Sequence, residues 1–124
     1  MLDHAGAQFL KPFGITPTQY NVLRILRGAG ELGLCRNEVG ERLIRAVPDV
    51  TRLLDRMEEM GLITRRRGED DRRFVTAVIT AQGLALLADL DAPIIEFHRV
   101  RLGHLSDDQL RAAIEVMERI RAAV

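Results

Sequence analysis

The chain has 124 residues but one cysteine and three scattered histidines, so it has no internal disulfide and no obvious ligand set for zinc. Cys35 is instead expected to be a small packing residue beside a first strand. No apolar run approaches the roughly 18 residues that span a bilayer, and no basic segment leads into an apolar one near the N-terminus. Neither a membrane span nor a secretory signal is expected, and the cytoplasm is the expected location. Net charge is zero, with 18 Lys and Arg against 18 Asp and Glu, which removes the bulk cationic character of many nucleic-acid binders. The glycines at 28 and 30 follow no strand and precede no Gly-Lys-Ser/Thr, so they mark a loop and not a phosphate cradle. A nucleophile–base pattern and a cofactor fingerprint are also absent. The acidic pairs Glu58-Glu59 and Asp70-Asp71 do not replace them: adjacent helical carboxylates diverge, and a hairpin tip excludes water poorly. No enzyme, cofactor or metal is therefore expected.

An apolar fraction of 47% and a charged fraction of 29% fit one globular domain, large enough for a core and small enough to gain from a partner subunit. Its centre is residues 50–83. Val50, Leu53, Leu54 and Met57 recur at helical spacing and form one buried stripe, leaving Thr51, Arg52, Asp55 and Arg56 on other faces. Gly61 is a natural helix stop. Residues 62–67 form a strand that turns basic as it leaves the core, residues 68–73 a charged turn, and residues 74–80 a returning strand rich in β-branched side chains. A helix with outward arginines followed by an arginine-rich hairpin is the geometry of a winged helix. One element enters the major groove of DNA while the other reaches across a phosphate backbone.

The distribution of charge matters more than its sum. Ten arginines fall between residues 36 and 73, interleaved with acids, so a basic patch requires them to share a face. Arg52 and Arg56 either contact DNA in the major groove or pair with Asp49, Asp55 or Glu59 on a solvated helix. Thr51 either touches a base edge or is a plain exposed threonine. Arg65, Arg66, Arg67 and Arg72 are expected to contact phosphates, with strand alternation separating Arg66 from Arg65 and Arg67.

Residues 61–83 resemble the wing of the MarR family of bacterial transcriptional regulators. Gly61 and Leu62 match its G-L segment, Asp71 and Arg73 its D-x-R tip, and Ile79, Thr80 and Gly83 its L-T-x-x-G helix start. The resemblance runs from about Phe13 to the C-terminus. It implies a mainly α fold with a small β-wing: a winged helix-turn-helix lobe over about residues 31–80, with dimerisation helices over about 1–15 and 84–124. It further implies that Arg73 enters a minor groove while Asp71 holds it, and that two subunits read a pseudo-palindromic duplex site. A small aromatic or phenolic effector bound between the lobes and the dimer helices is a further implication. The family's usual Ser and Thr residues near the recognition-helix start are here Ala46, Pro48 and Asp49, and the first helix looks abbreviated. The competing reading is a winged-helix protein-interaction or architectural module without an operator, which the zero net charge favours.

The remaining chain supplies the scaffold. Residues 3–10 predict a short helix anchored by Phe9, Leu10 and Phe13. Thr16, Pro17 and Gln19 predict a capped helix start with Ile15 and Tyr20 as its staple, Leu23 and Leu26 inward, and a stop near residues 28–30. Leu34 and Cys35 suggest a third strand. Residues 37–43 read as the first helix of the helix-turn-helix, with Val39 and Leu43 inward and Gly40 allowing close approach. Pro48 is expected as the first residue of the recognition helix, which runs to about Met60. Thr80 should cap a long helix carrying Leu84, Leu87, Leu90, Ile94 and Phe97, kinked or interrupted at Pro93. Ser106 and Gln109 form a second capping box. Leu110, Ile114, Met117 and Ile120 then form an uncovered apolar stripe, expected to be the dimer seam. His98 and His104 are expected to be ordinary surface or interface residues.

Overall fold

The computed structural model describes residues 2–68, 75–101, 106, 108, 109, 111, 112 and 115. Helix α1, Leu2–Leu10, passes through a short 3-10 turn into α2, Pro17–Ala29. The Thr16 hydroxyl accepts from the Gln19 N–H at 3.1 Å and the Gln19 amide oxygen from the Thr16 N–H at 3.0 Å, so the expected capping box forms. Ile15 is buried and Tyr20 is partly buried against the same core. Strand β1, Leu34–Cys35, leads directly into α3, Arg36–Arg42. The recognition helix α4, Val50–Glu59, the hairpin strands β2, Ile63–Arg67, and β3, Val75–Ile79, and the long α5, Ala81–Arg101, complete the described elements.

The three strands form an antiparallel sheet in the order β1-β3-β2, with Leu34 opposite Ala77 and Ile63 opposite Ile79. One apolar core draws on α1 to α5 and this sheet. Val22, Leu23, Leu26, Val39, Met57, Leu87 and Leu90 are completely buried in it. The stripe on α4 behaves as its spacing requires: Leu54 and Met57 are buried, while Val50 and Leu53 pack at the margin. On α2 the inward residues include Val22 and the polar Asn21, beyond the expected Leu23 and Leu26.

The end of α4 is a Schellman closure. The Gly61 N–H donates to the Glu58 carbonyl at 2.9 Å and the Leu62 N–H to the Met57 carbonyl at 3.1 Å, with Gly61 at φ 79°. That left-handed residue turns the chain from recognition helix into wing within three residues.

Three expectations change. Pro48 does not open α4: Asp49 is the cap, its carboxylate accepting from the Arg52 N–H at 2.9 Å, and Pro48 lies just before it. An acceptor side chain satisfies the orphan helix donors, which proline cannot do. Leu84 is exposed, because the inward position of the first turn of α5 belongs to buried Gly83, lying against Leu62 and Ile79. Finally, α5 continues past Pro93 without interruption. Leu87 and Leu90 hold its first half to the core, and the Phe9–Phe97 ring contact at 4.8 Å holds its second.

Candidate nucleic-acid interface

The two helices of the helix-turn-helix are fixed by a polar contact from outside the motif. Asn21, the one buried polar side chain among the described residues, accepts at Oδ1 from the Ile44 N–H at 2.9 Å. This satisfies the backbone where α3 ends and anchors the turn to α2. A Cβ on Gly40 would lie 3.3 Å from Val50 Cγ2, a tight contact with a side-chain tip, so α3 and α4 approach closely here. At the start of α3 the Glu38 carboxylate accepts from the Cys35 N–H at 3.0 Å. That hydrogen bond holds the Glu38 carboxyl below its ordinary value, with Arg42 adding to the effect.

Between the two helices lies an open groove of about 500 Å³, bordered by Arg36 and Asn37 on α3 and by residues 46–51. Arg36 Nη1 donates to Thr51 Oγ1 at 3.1 Å across it. Thr51 is half-buried, and its hydroxyl keeps a proton to donate elsewhere. Arg52 projects from α4 and is exposed. Arg56 is exposed too, with Glu59 3.5 Å away, and both side chains are more than 60% accessible. Such a pair contributes little and can be exchanged for another anion.

The hairpin arginines separate in burial. Arg66 and Arg67 are exposed, whereas the Arg65 side chain is 25% accessible. Its Nη2 donates to Glu58 Oε1 at 2.9 Å and to Asp55 Oδ1, and its Nε to Glu58 Oε1 at 3.2 Å. The Arg65 backbone N–H donates to the other Glu58 oxygen at 3.2 Å. Glu58 first, then Asp55, raises the guanidinium pKa further above its already high value. Asp71, Arg72 and Arg73 at the wing tip lie outside the described residues, as do Leu110, Ile114, Met117 and Ile120 of the expected dimer seam. The His98 side chain and all of His104 lie outside the described residues too.

Two features of this surface escape a reading of the sequence. Arg36 sits one position before the expected helix, and only the fold brings it to Thr51. Asp55 and Glu58 are one helical turn apart, which identifies a shared face but not the strand opposite. Among the described residues, no three His, Cys, Asp or Glu side chains are grouped to hold a metal ion, and no helix is long and apolar enough to cross a membrane.

A second cavity, about 300 Å³, lies on the far side of α2. Tyr20, Arg24 and Arg27 line it from α2, Asp91, Ile94 and Ile95 from α5, and Arg111 and Glu115 from beyond. Arg24 Nη1 donates to the Tyr20 hydroxyl at 3.0 Å, and Arg27 pairs with Asp91 at 3.2 Å.

The MarR family model matches residues 15–75. The Bacillus subtilis HTH-type transcriptional regulator MhqR is 27% identical over 118 residues, covering 95% of this chain and 79% of its own. The crystal structure of a MarR transcription factor from Planctomyces limnophilus is 36% identical with a TM-score of 0.71, covering 94% and 84% of the two chains. A mutant of S. aureus MepR bound to an oligodeoxyribonucleotide is 26% identical with a TM-score of 0.68, covering 94% and 86%. With its β2–β3 wing following a helix-turn-helix and paired to a first strand that precedes it, the chain belongs to the MarR family of winged-helix transcriptional regulators.

Proposed function

We infer that this chain binds a specific operator in duplex DNA as a homodimer and acts as a ligand-responsive repressor. The observation that carries the reading is the coincidence of exposed arginines with the two elements a winged helix presents to DNA. Arg52 and Arg56 project from α4, and Arg66 and Arg67 from the hairpin that follows it. Thr51, Arg52 and Arg56 meet the major groove, with the hydroxyl of Thr51 oriented by Arg36. Arg66, Arg67 and Arg72 bind phosphates, and Arg73, held by Asp71, enters the minor groove. The bound oligodeoxyribonucleotide of the MepR mutant supports this reading.

Residues 31–80 form the DNA-binding lobe, and the two ends of the chain form the dimer, with Leu110, Ile114, Met117 and Ile120 at its seam. The cavity between α2 and α5 suits a small aromatic effector: Tyr20 offers a ring, and a phenolate or carboxylate there would compete with Asp91 for Arg27. An effector there would act by favouring a spacing of the two lobes that no longer matches successive major grooves.

The test is selection from random-sequence duplexes followed by sequencing, at two salt concentrations. Recovery of an inverted repeat supports operator binding by a two-fold dimer. Weak binding without sequence preference, or none at low salt, favours the protein-interaction or architectural module, the reading for which zero net charge speaks.

A further inference from the structure

Arg65 is placed differently from the arginines beside it. Four hydrogen bonds join it to α4: three from its guanidinium to Glu58 and Asp55, and one from its backbone N–H to Glu58. Asp55 and Glu58 lie three residues apart and so share one face of the helix. Three of the bonds go to Glu58, beside the helix end, and the fourth goes to Asp55, about one turn earlier, while the covalent link through Gly61 lies just past the end. The hairpin is therefore tied to the recognition helix at two separated points, and two points fix an angle where one leaves a hinge. Strand β2 is paired with β3 from Ile63 to Arg67, so whatever fixes Arg65 fixes the two paired strands.

The charges argue against a phosphate role. A guanidinium flanked by two carboxylates belongs to a group with net charge −1, and that group opposes a phosphate. Two acids on the DNA-facing lobe also lower its affinity for any duplex, so their presence calls for a compensating benefit. A winged helix offers one: the helix and the wing must reach their grooves together, and a rigid angle rewards only DNA of matching shape.

We propose that Arg65, with Asp55 and Glu58 as counter-ions, is a positioning residue that sets the angle between recognition helix and wing and thereby raises operator discrimination. The proposal rests on the DNA-binding reading above. It assigns Arg65 an indirect role in place of direct phosphate binding, and makes the two acids contributors to specificity.

The experiment compares the full chain with Asp55→Asn/Glu58→Gln, with Arg65→Gln, and with the charge-swapped Glu58→Arg/Arg65→Glu. Affinity is measured for the selected operator and for random duplex across a salt series. Removing both acids should raise affinity for random duplex yet lower it for the operator, reducing discrimination about tenfold. Arg65→Gln should reduce discrimination while leaving the slope of log affinity against log salt unchanged. If Arg65 instead neutralised a phosphate, its replacement would make that slope shallower by about 0.9. The swapped pair restores one carboxylate–guanidinium contact but loses the backbone acceptor and sets a carboxylate beside Asp55, so it should recover part of the discrimination lost in Arg65→Gln, which separates a broken clamp from a damaged fold. Equal gains for both duplexes in the acid-less variant would overturn the proposal, as would a shallower slope with unchanged discrimination in Arg65→Gln. Amide hydrogen exchange on the free protein supplies an arm without DNA: the hairpin should exchange faster in the acid-less variant, and unchanged exchange would overturn the clamp. Failure of the unsubstituted chain to bind any duplex would instead remove the DNA-binding reading, with the exchange result still deciding whether the clamp operates.

Discussion

Gly83→Ala tests how α5 is seated on the wing. A Cβ at this position would lie 2.5 Å from the Leu62 carbonyl oxygen and 2.7 Å from Ile79 Cγ1. The oxygen is backbone and already accepts from the Thr80 N–H at 3.1 Å. The Thr80 hydroxyl meanwhile donates to the Gly61 carbonyl at 2.7 Å and accepts from the Gly83 N–H at 3.1 Å. Nothing here yields as a side-chain tip would, so the first turn of α5 must lift. Overpacking of this kind costs about 1–3 kcal/mol. Alanine's better helix propensity returns at most about 1 kcal/mol.

With two contacts under 3 Å, one of them to backbone, the cost falls in the upper part of that range, about 2–3 kcal/mol, and the net expectation is a loss of about 1–2 kcal/mol. A chain of 124 residues unfolds with an entropy of about 0.26 kcal/mol per kelvin, so the melting temperature should fall by about 4–8 K. Gly40→Ala is the control, since its Cβ would meet only the methyl end of Val50 at 3.3 Å. There propensity should equal or exceed crowding, leaving the melting temperature unchanged or raised. Thermal and denaturant unfolding of both variants at one protein concentration would decide. A Gly83→Ala protein as stable as the parent would refute the close-approach account.

Asn21→Ala strands the Ile44 N–H at the end of α3 and should cost about 1–2 kcal/mol in denaturant unfolding, with operator affinity also reduced. An unchanged midpoint and affinity would show that the turn is held otherwise. Glu38 has a folded-state pKa below its ordinary 4.5, so its cap stabilises the fold above that pH and loses its effect as pH falls through the lower folded value. The stability gap between the parent and Glu38→Gln should accordingly be constant near neutrality and close below about pH 4.5. A gap independent of pH would assign the cap to hydrogen bonding without charge. Arg73→Ala should weaken operator binding while leaving melting and oligomeric state unchanged, and full affinity would remove its minor-groove role. Replacing Ile114 and Met117 with charged residues should give monomers in sedimentation, unless the seam lies elsewhere.

What was legible in the sequence follows from the range of the interactions involved. The Thr16–Gln19 box, the Gly61 stop and the stripe on α4 depend on residues within a turn or two of one another, and all formed as their spacing requires. Pro48 misled because proline at a first helical position and proline just before a cap have the same sequence, and Asp49 decides between them only through its bond to Arg52. Leu84 misled because a leucine predicts burial more strongly than a glycine, yet the space against Leu62 accommodates only the glycine. At the interface, composition suggested arginines without distinguishing them. Arg65 and Arg66 are neighbours of identical chemistry, and only Arg65 reaches the carboxylates of α4; Arg67, which alternation groups with Arg65, is exposed like Arg66.

The same carboxylates explain how a chain without net charge can present a basic surface. On the helix-turn-helix lobe Glu38 caps α3, Asp49 caps α4, and Asp55 and Glu58 hold Arg65. These four acids are thus fixed in place by structural bonds, and Arg52, Arg66 and Arg67 are exposed. The cap on α4 has a further effect. An aspartate at a helix N-terminus offsets the positive end of the helix dipole, so that end is poorly placed to attract a phosphate. Attraction to DNA must then come from side chains that reach beyond the acids, and it should be short-ranged and screened within about 10 Å at 0.1 M salt. Asp49→Asn keeps an acceptor for the Arg52 N–H and removes the charge. It should therefore raise affinity for operator and random duplex together at low salt, with the gain vanishing as salt rises. A gain confined to the operator would mean that Asp49 takes part in reading bases.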